Sequence, residues 1–596
     1  MSSPSEVSET DSRTVTILYA TETGTAQEIS DRIAAQCRRI HIRAHVHNMD
    51  TYSPQELISE GLVIFSIATT GSGREPRAMT PLWNMLLRSD LPEDLFEDLS
   101  FAVFGLGDTA YEKFCWPAKL LSRRLASLGA TEVYSRGEGD EQHPLGIDGA
   151  FEPWIKGLLE AFLQIFPLPT GLTVVPENSL PPPRVAIRNA ESTTLRSFHE
   201  PLENDSQYHL ATVSCNRRIT AQEWYQDVRH FEFDFDHDIQ YEAGDVAIIH
   251  PEVASADVES FLATIGFANA ADDFIIIEHT LEDQSLPDHL PRMTTLRQLF
   301  TRYLDIGTVP RRSFFAMLRH FVANELEAEK IDEFLSVEGA DELYDYCQQP
   351  RRTIREVLEE FRSARIPRDY IFDLFPPLRP RQFSIASSVK CRPRQVHLCV
   401  AIVVYRTRLK VPRRGVCTRY MANLRIGDKL WVGIQKGLFS LPPNNLTPII
   451  CVGPGTGVAS MRAIIEERTQ AGAADNTLYF GCRSAAKDQH YGTEWAHYAA
   501  EGLLTYRTAF SRDVPEGAPR RYVQDVMRED SKQLWDSLGI RGAWMFISGS
   551  ANKMPAGVRS AIREAAQKEA GKTEEEAEDF LSRLEREGRL WEECWS

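Results

Sequence analysis

The N-terminal part of the chain alternates short apolar runs with longer amphipathic stretches. Apolar runs rich in β-branched and aromatic residues occur at Val15–Tyr19, Leu62–Ala68 and Phe101–Leu106, and Ala26–Arg39 has the spacing of a helix. Alternating strands and helices are typical of a parallel, doubly wound sheet, because parallel strands need a crossover connection. The pattern predicts an α/β module over residues 14–166, after a disordered N-terminus at residues 1–13.

The pattern changes after Phe166. Six prolines lie between residues 166 and 184, and this composition predicts a semi-rigid linker, which we place at residues 167–203. Residues 255–375 are rich in Arg, Glu and Leu and have helical spacing. On both sides of them the sequence has strand-like alternation, at Tyr208–Cys215, Val228–Phe235, Gln382–Ser387, Val396–Tyr405 and Lys429–Ile434. We therefore predict a β-barrel over residues 204–446 that contains a helical insertion.

The last part of the chain, residues 447–596, alternates strands and helices again. Strands are predicted at Ile449–Val452, Thr477–Gly481 and Ala543–Ile547, which indicates a second α/β module. Thr573 and Glu576 form a capping box at the start of the final helix. The whole chain is thus predicted to be a multidomain α/β protein.

Composition excludes several classes of protein. A chain of 596 residues exceeds what one hydrophobic core usually serves. We find neither an apolar N-terminal segment nor an apolar run of about 18 residues, so we expect no export signal and no membrane anchor. The ten cysteines include no Cys-x-x-Cys pair, which argues against zinc and iron–sulfur ligation and against a disulfide scaffold, and we expect no metal site. A reducing, cytoplasmic location fits this cysteine usage.

Charge narrows the choice of partner. The formal net charge of −19 makes nucleic acid an unsuitable partner, because phosphate binding needs a basic surface. Residues 1–175 hold 24 acidic and 14 basic side chains, a net charge of −10. The N-terminal module should therefore attract basic partner surfaces.

Three loops of the first module follow its three strands, where an open α/β sheet binds its ligand. The first glycine-rich loop, Thr21–Ala26, offers hydroxyls and amides for a phosphate but no Lys or Arg. The second loop, Thr69–Gly73, is glycine-rich and lets the backbone approach a flat ring. The third loop, Gly105–Tyr111, brings Tyr111 as a ring that can stack on it. The first loop is alternatively an ordinary strand-to-helix turn capped by Thr, and Tyr111 is alternatively a surface residue without a ligand. The candidate binding residues are Thr21, Glu22, Thr23, Gly24, Thr25, Ala26, Thr69, Thr70, Gly71, Leu106, Gly107, Asp108 and Tyr111.

This layout of loops resembles flavodoxin, and the resemblance implies FMN as the ligand. It also places Asp140, in the run Gly137–Asp140, near the edge of the flavin ring.

The barrel carries a second flavin pattern at Arg381–Ser384. Arg381 can pair with a pyrophosphate, Phe383 can cover a flavin face, and Ser384 can hydrogen-bond the reactive N5 edge, with Gln382 between them. A second segment supplies amides and a hydroxyl for another phosphate contact, at Gly415, Val416, Cys417 and Thr418. A pattern as short as Arg381–Ser384 also occurs by chance. Arg414, which precedes the second segment, either contributes to this phosphate contact or belongs to a solvated basic run, Lys410–Arg414. The two segments together favour FAD.

The final module carries the second glycine-rich loop, Gly453–Gly457, a variant dinucleotide-binding loop that includes Thr456. Cations and hydroxyls cluster after a later strand, at Ser511, Arg512, Arg520, Tyr522 and Gln524. An extra phosphate on the adenosine ribose would explain this cluster, whereas a solvated basic turn is the alternative. We therefore expect NADPH rather than NADH. At the chain end, Trp595 is placed to cover a flavin face.

The order of these motifs resembles the NADPH-dependent diflavin reductases, the cytochrome P450 reductase-like family, from Thr14 to Ser596. Within the family, the chain is most similar to the cytosolic diflavin reductases of iron–sulfur protein assembly. The stretches that carry the resemblance are Thr21–Thr25, Gly105–Phe114, Gly137–Trp154, Arg381–Ser388, Thr407–Thr418, Gly453–Val458, Phe480–Arg483 and Trp595–Ser596. The resemblance implies a flavodoxin-like module, an FAD-binding barrel with a helical insertion and a ferredoxin-reductase-like NADPH module.

The resemblance also implies further site residues. It adds Ala68 and Phe114 to the FMN site, and it implies that Ser384, Ser548, Glu593 and Trp595 shape the site of hydride transfer. The chain departs from the P450 reductases at four positions. Thr70 stands in place of an aromatic residue, Ser548 in place of Cys, and Ser550 and Glu593 each in place of Asp.

The function implied is an NADPH-dependent diflavin oxidoreductase that passes electrons from NADPH to FAD, to FMN and to a one-electron protein acceptor. The expected acceptor is an anamorsin-like iron–sulfur carrier of cytosolic cluster assembly, and basic acceptors such as cytochrome c should also be reduced. Two alternatives stay open. One is a soluble cytochrome P450 or cytochrome c reductase, and the other is a flavin-bound redox scaffold.

Overall fold

The structure is a computed structural model, and it describes residues 13–71, 73–111, 113–190 and 200–595. The N-terminus that we expect to be disordered lies outside these ranges except for Arg13, and so does part of the predicted linker. The chain forms two units. The first is built from described parts of residues 1–199, 253–379 and 407–410, and the second from residues 200–252, 380–406 and 411–596.

The strands, in chain order, are β1 (Thr14–Ala20), β2 (Arg43–Asn48), β3 (Leu62–Ala68), β4 (Ser100–Gly107), β5 (Thr131–Glu132), β6 (Gly137–Asp140), β7 (Val185–Asn189), β8 (Tyr208–Arg218), β9 (Val228–Phe235), β10 (Val246–Ile249), β11 (Phe274–His279), β12 (Met293–Thr295), β13 (Arg381–Ser384), β14 (Gln395–Ala401), β15 (Val404–Tyr405), β16 (Arg413–Arg414), β17 (Lys429–Gln435), β18 (Ile449–Val452), β19 (Asn476–Cys482), β20 (Thr505–Phe510), β21 (Trp544–Ser550) and β22 (Leu590–Trp595).

The helices are α1 (Thr25–Arg39), α2 (Thr80–Leu86), α3 (Trp116–Ser127), α4 (Asp148–Ile165), α5 (Ser255–Thr264), α6 (Leu296–Gln298), α7 (Arg312–Leu318), α8 (Glu325–Leu335), α9 (Ala340–Leu343), α10 (Ile354–Glu360), α11 (Ile371–Leu374), α12 (Val416–Asn423), α13 (Val458–Gln470), α14 (Ala485–Asp488), α15 (Gly492–Ala500), α16 (Val523–Glu529), α17 (Ser531–Trp535), α18 (Lys553–Ala570) and α19 (Glu574–Arg586). Among the residues described, none of these helices has both the length and the apolar character that crossing a membrane requires.

The first unit contains a parallel sheet in the order β2-β1-β3-β4-β5, and β6 pairs with the far part of β4. Apolar residues of α1 and α4 pack on one face of the sheet, and those of α2 and α3 pack on the other. Both faces are covered in this way because right-handed crossovers place helices on opposite faces when the strand order runs in opposite directions from β1. The arrangement confirms the predicted flavodoxin-like fold.

The first unit also contains helices α5–α11 and a small sheet in the order β12-β11-β7. Two sequence predictions are corrected here. The insertion is not wholly helical, because the isoleucine-rich run Phe274–His279 forms β11. The predicted linker contains a strand, β7, in which Val185 and Ile187 are buried against β11. The sequence pattern did not predict β7, because this short strand comes almost directly after Pro181–Pro183.

The second unit contains an antiparallel sheet in the order β13-β10-β17-β8-β9-β14. A bridge between Ile385 and Leu398 links its two edges, so the sheet nearly closes into the predicted barrel. Its inward-facing apolar residues, Phe231 and Phe233 among them, form one core cluster. Strand alternation, with one face apolar, explains why a barrel was predicted here, although the wholly buried strand β10 was not identified.

A parallel sheet in the order β20-β19-β18-β21-β22 completes the second unit. The final helix α19 begins with the predicted capping box, in which Thr573 accepts from the Glu576 amide and Glu576 accepts from the Thr573 amide. Sequence analysis gave no strand after this helix. The structure places Leu590–Trp595 in strand β22, parallel to β21.

Candidate flavin and NADPH sites

The first glycine-rich loop joins β1 to α1. Gly24 has a φ of 90°, a conformation that favours glycine, and its amide donates a hydrogen bond to the Thr21 hydroxyl at 2.9 Å. Among the described residues no side chain caps α1, so the loop differs from an ordinary Thr-capped turn. An uncapped helix N-terminus of this kind suits a phosphate group.

Sequence reasoning missed a cation at this loop. The guanidinium of Arg379, which follows the insertion, packs against Gly24, with Nη2 at 3.5 Å from the Gly24 carbonyl oxygen. A Cβ atom on Gly24 would lie 2.4 Å from Cζ of Arg379. The expectation that the loop offers neutral donors alone is therefore corrected. The only signal in the sequence was the position of Arg379, two residues before Arg381.

The second and third loops support each other and the first. The Thr69 hydroxyl donates to the Leu106 carbonyl at 2.7 Å, at the paired ends of β3 and β4, where Ala68 also lies. The Thr70 hydroxyl donates to the Arg74 carbonyl at 3.1 Å. Glu22 accepts from the Arg77 amide at 2.9 Å, so its carboxylate holds neighbouring backbone and is not directed at a phosphate.

Asp140 lies at the end of β6, paired with Gly107. Its carboxylate accepts from the Thr109 amide at 3.0 Å and from the Thr109 hydroxyl at 2.8 Å. Burial alone would raise the pKa of Asp140, but hydrogen bonds from the Gln142 and Thr109 amides outweigh it, and the pKa is lowered. Asp108 accepts from the Gln142 side chain at 2.9 Å. Both acids therefore fix the shape of the third loop.

The two aromatic residues of the third loop have different surroundings. Tyr111 is half-buried, and the structure places it in the loop as expected. Phe114 lies beneath the loop, because a Cβ atom on Gly107 would come within 2.9 Å of its ring, and the Lys119 ammonium lies 5.2 Å from its centroid. Phe114 thus supports the loop backbone, and Tyr111 is the better candidate for stacking.

The barrel segment Arg381–Ser384 forms β13, which pairs with β10. Arg381 and Gln382 are exposed, and the Gln382 amide donates to the Gln435 side chain at 3.0 Å. Phe383 is half-buried and packs against the barrel core, so one of its faces is already covered. Ser384 is half-buried and faces Glu593.

The second barrel segment begins α12, with Gly415 before it and Val416 as its first residue. The Thr418 hydroxyl accepts from the Val403 amide at 3.1 Å and the residue is buried, and its phosphate contact stays a prediction. Burial raises the pKa of the Cys417 thiol to about 12, which keeps it protonated. Backbone amides at the start of α12 are the donors that this segment can offer.

Three polar side chains from separate strands meet at one carboxylate. The Ser384 hydroxyl of β13 donates to Glu593 Oε2 at 3.1 Å. The Ser548 hydroxyl of β21 donates to the same oxygen at 3.5 Å. Ser548 is fully buried, and Glu593 pairs with it across β21 and β22. The structure therefore brings together three of the four residues expected at the hydride-transfer site.

Trp595, the fourth residue, ends β22. Successive side chains of a strand alternate between faces, so Trp595 shares a face with Glu593. Its carbonyl accepts from the Ala551 amide at 2.8 Å, and 39% of its surface is exposed. The final residue, Ser596, lies outside the described residues.

The second glycine-rich loop follows β18 and makes a short turn, Gly455–Gly457, that contains Thr456. Gly457 packs against the backbone of β21, because a Cβ atom there would lie 2.1 Å from the Ser548 carbonyl oxygen. The loop thus contacts the strand that carries Ser548.

Four of the five residues expected at the ribose phosphate lie in the connection from β20 to α16: Ser511, Arg512, Arg520 and Tyr522. The Ser511 hydroxyl donates to the Cys482 carbonyl at 3.4 Å, and Arg512 Nη2 lies 3.5 Å from the Tyr225 hydroxyl. Arg520 and Tyr522 are exposed. Gln524 lies on the first turn of α16, against Gly557.

Similarity to known proteins decides the family. A flavodoxin family model matches residues 17–154, an FAD binding domain model matches residues 202–420, and an oxidoreductase NAD-binding domain model matches residues 451–560. A protein from Cryptococcus neoformans named NADPH-dependent diflavin oxidoreductase 1 is 39% identical over 97% of this chain and 99% of its own. Proteins of that name from Danio rerio and Xenopus laevis are 39% and 38% identical, over 98% and 97% of this chain.

The chain belongs to the NADPH-dependent diflavin oxidoreductases. As a member, it is an enzyme that uses FMN, FAD and NADPH and passes electrons to a protein acceptor. The local geometry fits these groups, since α1 and α12 both begin without a side-chain cap among the described residues, which suits a phosphate group. The departures at Ser548 and Glu593 keep a hydroxyl and a carboxylate in mutual contact in this diflavin oxidoreductase.

One group of potential metal ligands lies in the barrel of this diflavin oxidoreductase, at His230, Glu232 and His397. His230 already contacts the Tyr491 hydroxyl at 2.9 Å and Glu232 at 3.1 Å. Burial and the nearby Arg462 guanidinium lower the pKa of His230 to about 3 and that of His397 to about 2. The group therefore fits two neutral histidines that are each hydrogen-bonded to other side chains, His397 to Gln395 at 3.3 Å.

Proposed function

We propose that Ser384, Ser548 and Glu593 form the hydride-transfer site of this diflavin oxidoreductase. The observation that carries the proposal is the convergence of two hydroxyls on Glu593 Oε2, at 3.1 and 3.5 Å. FAD, when bound, supplies the ring that takes a hydride from NADPH and divides it into single electrons. The carboxylate holds both hydroxyl protons at a fixed place, which orients the Ser384 oxygen toward the ligand.

A conservative exchange tests this role. In Glu593→Gln the shared acceptor oxygen is replaced in part by an amide donor, so the hydroxyls lose their common partner. We expect the rate of FAD reduction by NADPH, measured by stopped flow, to fall by at least about tenfold with FAD content unchanged. Glu587→Gln is the matched control, because Glu587 is an exposed residue paired with Arg589. Equal rates in both variants would contradict the proposal.

We also propose that Trp595 covers the flavin face and is displaced by nicotinamide. Contacts with the 2′-phosphate would help NADPH to displace the ring, and NADH lacks them. Removal of Trp595 and Ser596 should therefore raise the use of NADH relative to NADPH. An unchanged ratio of the two kcat/KM values would mean that Trp595 has no covering role.

For the physiological acceptor, we propose an anamorsin-like iron–sulfur carrier protein in the cytoplasm. The net charge of −10 over residues 1–175 supports docking of a basic acceptor surface on the flavodoxin-like module. The same charge explains why cytochrome c should serve as an acceptor in vitro.

Reduction rates of purified acceptors test this proposal. The full-length enzyme with NADPH should reduce the iron–sulfur carrier at low micromolar acceptor concentration, and the rate should fall as ionic strength rises, because salt screens charges beyond about 8–10 Å. Cytochrome c serves as the comparison. A cytochrome P450 that is reduced faster than the carrier would favour the alternative reductase function. Absence of turnover with every acceptor would favour a redox scaffold.

A further inference from the structure

Two aromatic side chains of the barrel meet cations of the nucleotide-binding sheet. Trp224 and Tyr225 lie in the loop from β8 to β9, with ring centroids 4.8 Å apart. Cζ of Arg512 lies 5.5 Å from the Tyr225 ring and 5.9 Å from the Trp224 ring. Cζ of Arg483 lies 5.3 Å from the Tyr225 ring, and Nζ of Lys487 lies 5.3 Å from the Trp224 ring. Three cations therefore surround one pair of rings.

The aromatic loop is anchored to both sheets. The Ala221 amide donates to the Lys487 carbonyl at 2.8 Å, which ties the loop to the segment after β19. Arg483 Nη1 donates to the Gln226 side chain at 2.6 Å, and Arg218 Nη2 donates to the Trp224 carbonyl at 2.6 Å. These bonds hold the rings in place without using the guanidinium of Arg512. The rings are therefore a fixed platform against which that guanidinium can rest.

Exposure of Tyr225 is unusual for a ring that serves only packing, since 63% of its surface is accessible. A cation over an aromatic face is attracted by about 0.5–1 kcal/mol at an exposed site. This attraction uses the charge of the guanidinium, and only Nη2 of Arg512 is directed at the Tyr225 hydroxyl, at 3.5 Å, so its other N–H groups can donate to a phosphate. It also restricts rotamers of a long side chain, which otherwise lose entropy on binding a ligand.

We propose that Tyr225 is a positioning residue for the 2′-phosphate of NADPH. Its ring holds the Arg512 guanidinium at the carboxyl end of β20, so that the cation is already oriented when the nucleotide arrives. The proposal rests on the 2′-phosphate role of Arg512. Tyr225 would then raise the preference for NADPH over NADH without contacting the nicotinamide.

Binding of two adenosine nucleotides to the full-length holoenzyme tests this proposal. The probes are 2′,5′-ADP, which carries the ribose phosphate, and 5′-ADP, which lacks it, and their affinities are measured by calorimetry. Tyr225→Ala should weaken 2′,5′-ADP roughly threefold to tenfold, as expected for loss of one or two cation–π contacts, and 5′-ADP by less than twofold. Tyr225→Phe should retain most of the affinity, because the ring remains. FAD content of each variant reports folding.

A double variant separates positioning from direct contact. In an Arg512→Ala background, Tyr225→Ala should cause no further loss of 2′,5′-ADP affinity. A further loss there, or an equal loss for both nucleotides in the single variant, would overturn the positioning role. If Arg512→Ala leaves 2′,5′-ADP affinity unchanged, Arg512 does not bind the 2′-phosphate. The proposed role of Tyr225 is then wrong as well. If only Arg512→Ala weakens binding, the 2′-phosphate contact stands and Tyr225 has no part in it.

Discussion

The two glycine-rich loops of this diflavin oxidoreductase occupy equivalent places, each between a parallel strand and a helix, yet their glycines serve different needs. In the first loop, Gly24 is required by its backbone, which has a φ of 90°. In the second loop, Gly457 has a φ of −59°, which any residue adopts, but it lacks space for a side chain. Gly24 is therefore required by its backbone conformation, and Gly457 by the close approach of two backbone segments.

The two glycines also differ in what packs against them, and this affects how each loop can respond to a ligand. The neighbour of Gly24 is the flexible side chain of Arg379, which can move, whereas the neighbour of Gly457 is the backbone of Ser548, which cannot move without displacing β21. The first loop is thus a cradle that a ligand can reshape. The second loop is a packing contact that sets the place of a residue proposed to act in hydride transfer.

The largest expected effect is that of Gly457→Ala. Its Cβ atom would overlap the Ser548 carbonyl oxygen at 2.1 Å, so the loop or β21 must shift. We expect a loss of about 3 kcal/mol of stability, the upper end for overpacking. A shift near 1 Å at Ser548 should also slow FAD reduction by NADPH about 100-fold. Thermal unfolding and stopped-flow absorbance measure the two effects.

The matched control is Gly472→Ala, which changes a glycine at φ 78° with open space around it. This variant carries only the conformational penalty, about 1–2 kcal/mol. Normal FAD reduction in Gly457→Ala would show that the second loop does not set the position of Ser548.

The two nucleotide sites also differ in the cations that we expect to bind the ligand. Arg520→Ala tests this difference at the NADPH site. Arg520 is exposed near the start of α16, where we expect the 2′-phosphate. Loss of a hydrogen bond to a charged group should weaken NADPH by about 1.5–3 kcal/mol and leave NADH unaffected. The measurement is kcat/KM for both nucleotides. Equal losses would mean that Arg520 supports the fold.

Much of this fold was predictable because its signals are local. The strand Leu62–Ala68 and the cap at Thr573 were both predicted with the bounds that the structure has. Strands β7 and β22 were missed, because their local patterns are weak: β7 comes soon after three prolines, and β22 contains two adjacent glutamates. The site residues divide in the same way, into those with a sequence signal and those that only the tertiary structure shows. Ser384, Ser548 and Glu593 were identified by resemblance to a family, whereas the contacts of Arg379 with Gly24 and of Tyr225 with Arg512 depend on tertiary structure.

A smaller effect is expected at the first loop, from Gly24→Ala. A residue other than glycine at a φ of 90° should lose about 1–2 kcal/mol, and the Arg379 guanidinium must move away. We expect FMN affinity to fall roughly fivefold to thirtyfold, which is the same free energy expressed as a binding constant. FAD reduction by NADPH should be unchanged. The FMN to FAD ratio after dialysis measures the loss, and a ratio equal to that of the wild type would contradict the role of this loop.

The smallest effect concerns the proline-rich segment that follows the flavodoxin-like sheet. We propose that the linker predicted here lets this module swing, because one flavin edge has to meet its electron donor and its acceptor in turn. In the structure the segment is held by hydrogen bonds, from the Val175 amide to the Arg39 carbonyl at 2.9 Å and from the Tyr370 hydroxyl to the Pro181 carbonyl at 3.0 Å. If the module must be released to reach the acceptor, these bonds slow the release.

Tyr370→Phe removes one of these bonds and leaves the ring in place. A hydrogen bond of this kind contributes about 0.5–1.5 kcal/mol, so acceptor reduction should become roughly twofold to tenfold faster. Shortening the segment should have the opposite effect and slow acceptor reduction. Neither change should alter stopped-flow reduction of FAD by NADPH, because that step does not require release. A shortened enzyme in which both steps slow equally, or a Tyr370→Phe enzyme that delivers electrons at the wild-type rate, would show that release of this module does not limit turnover.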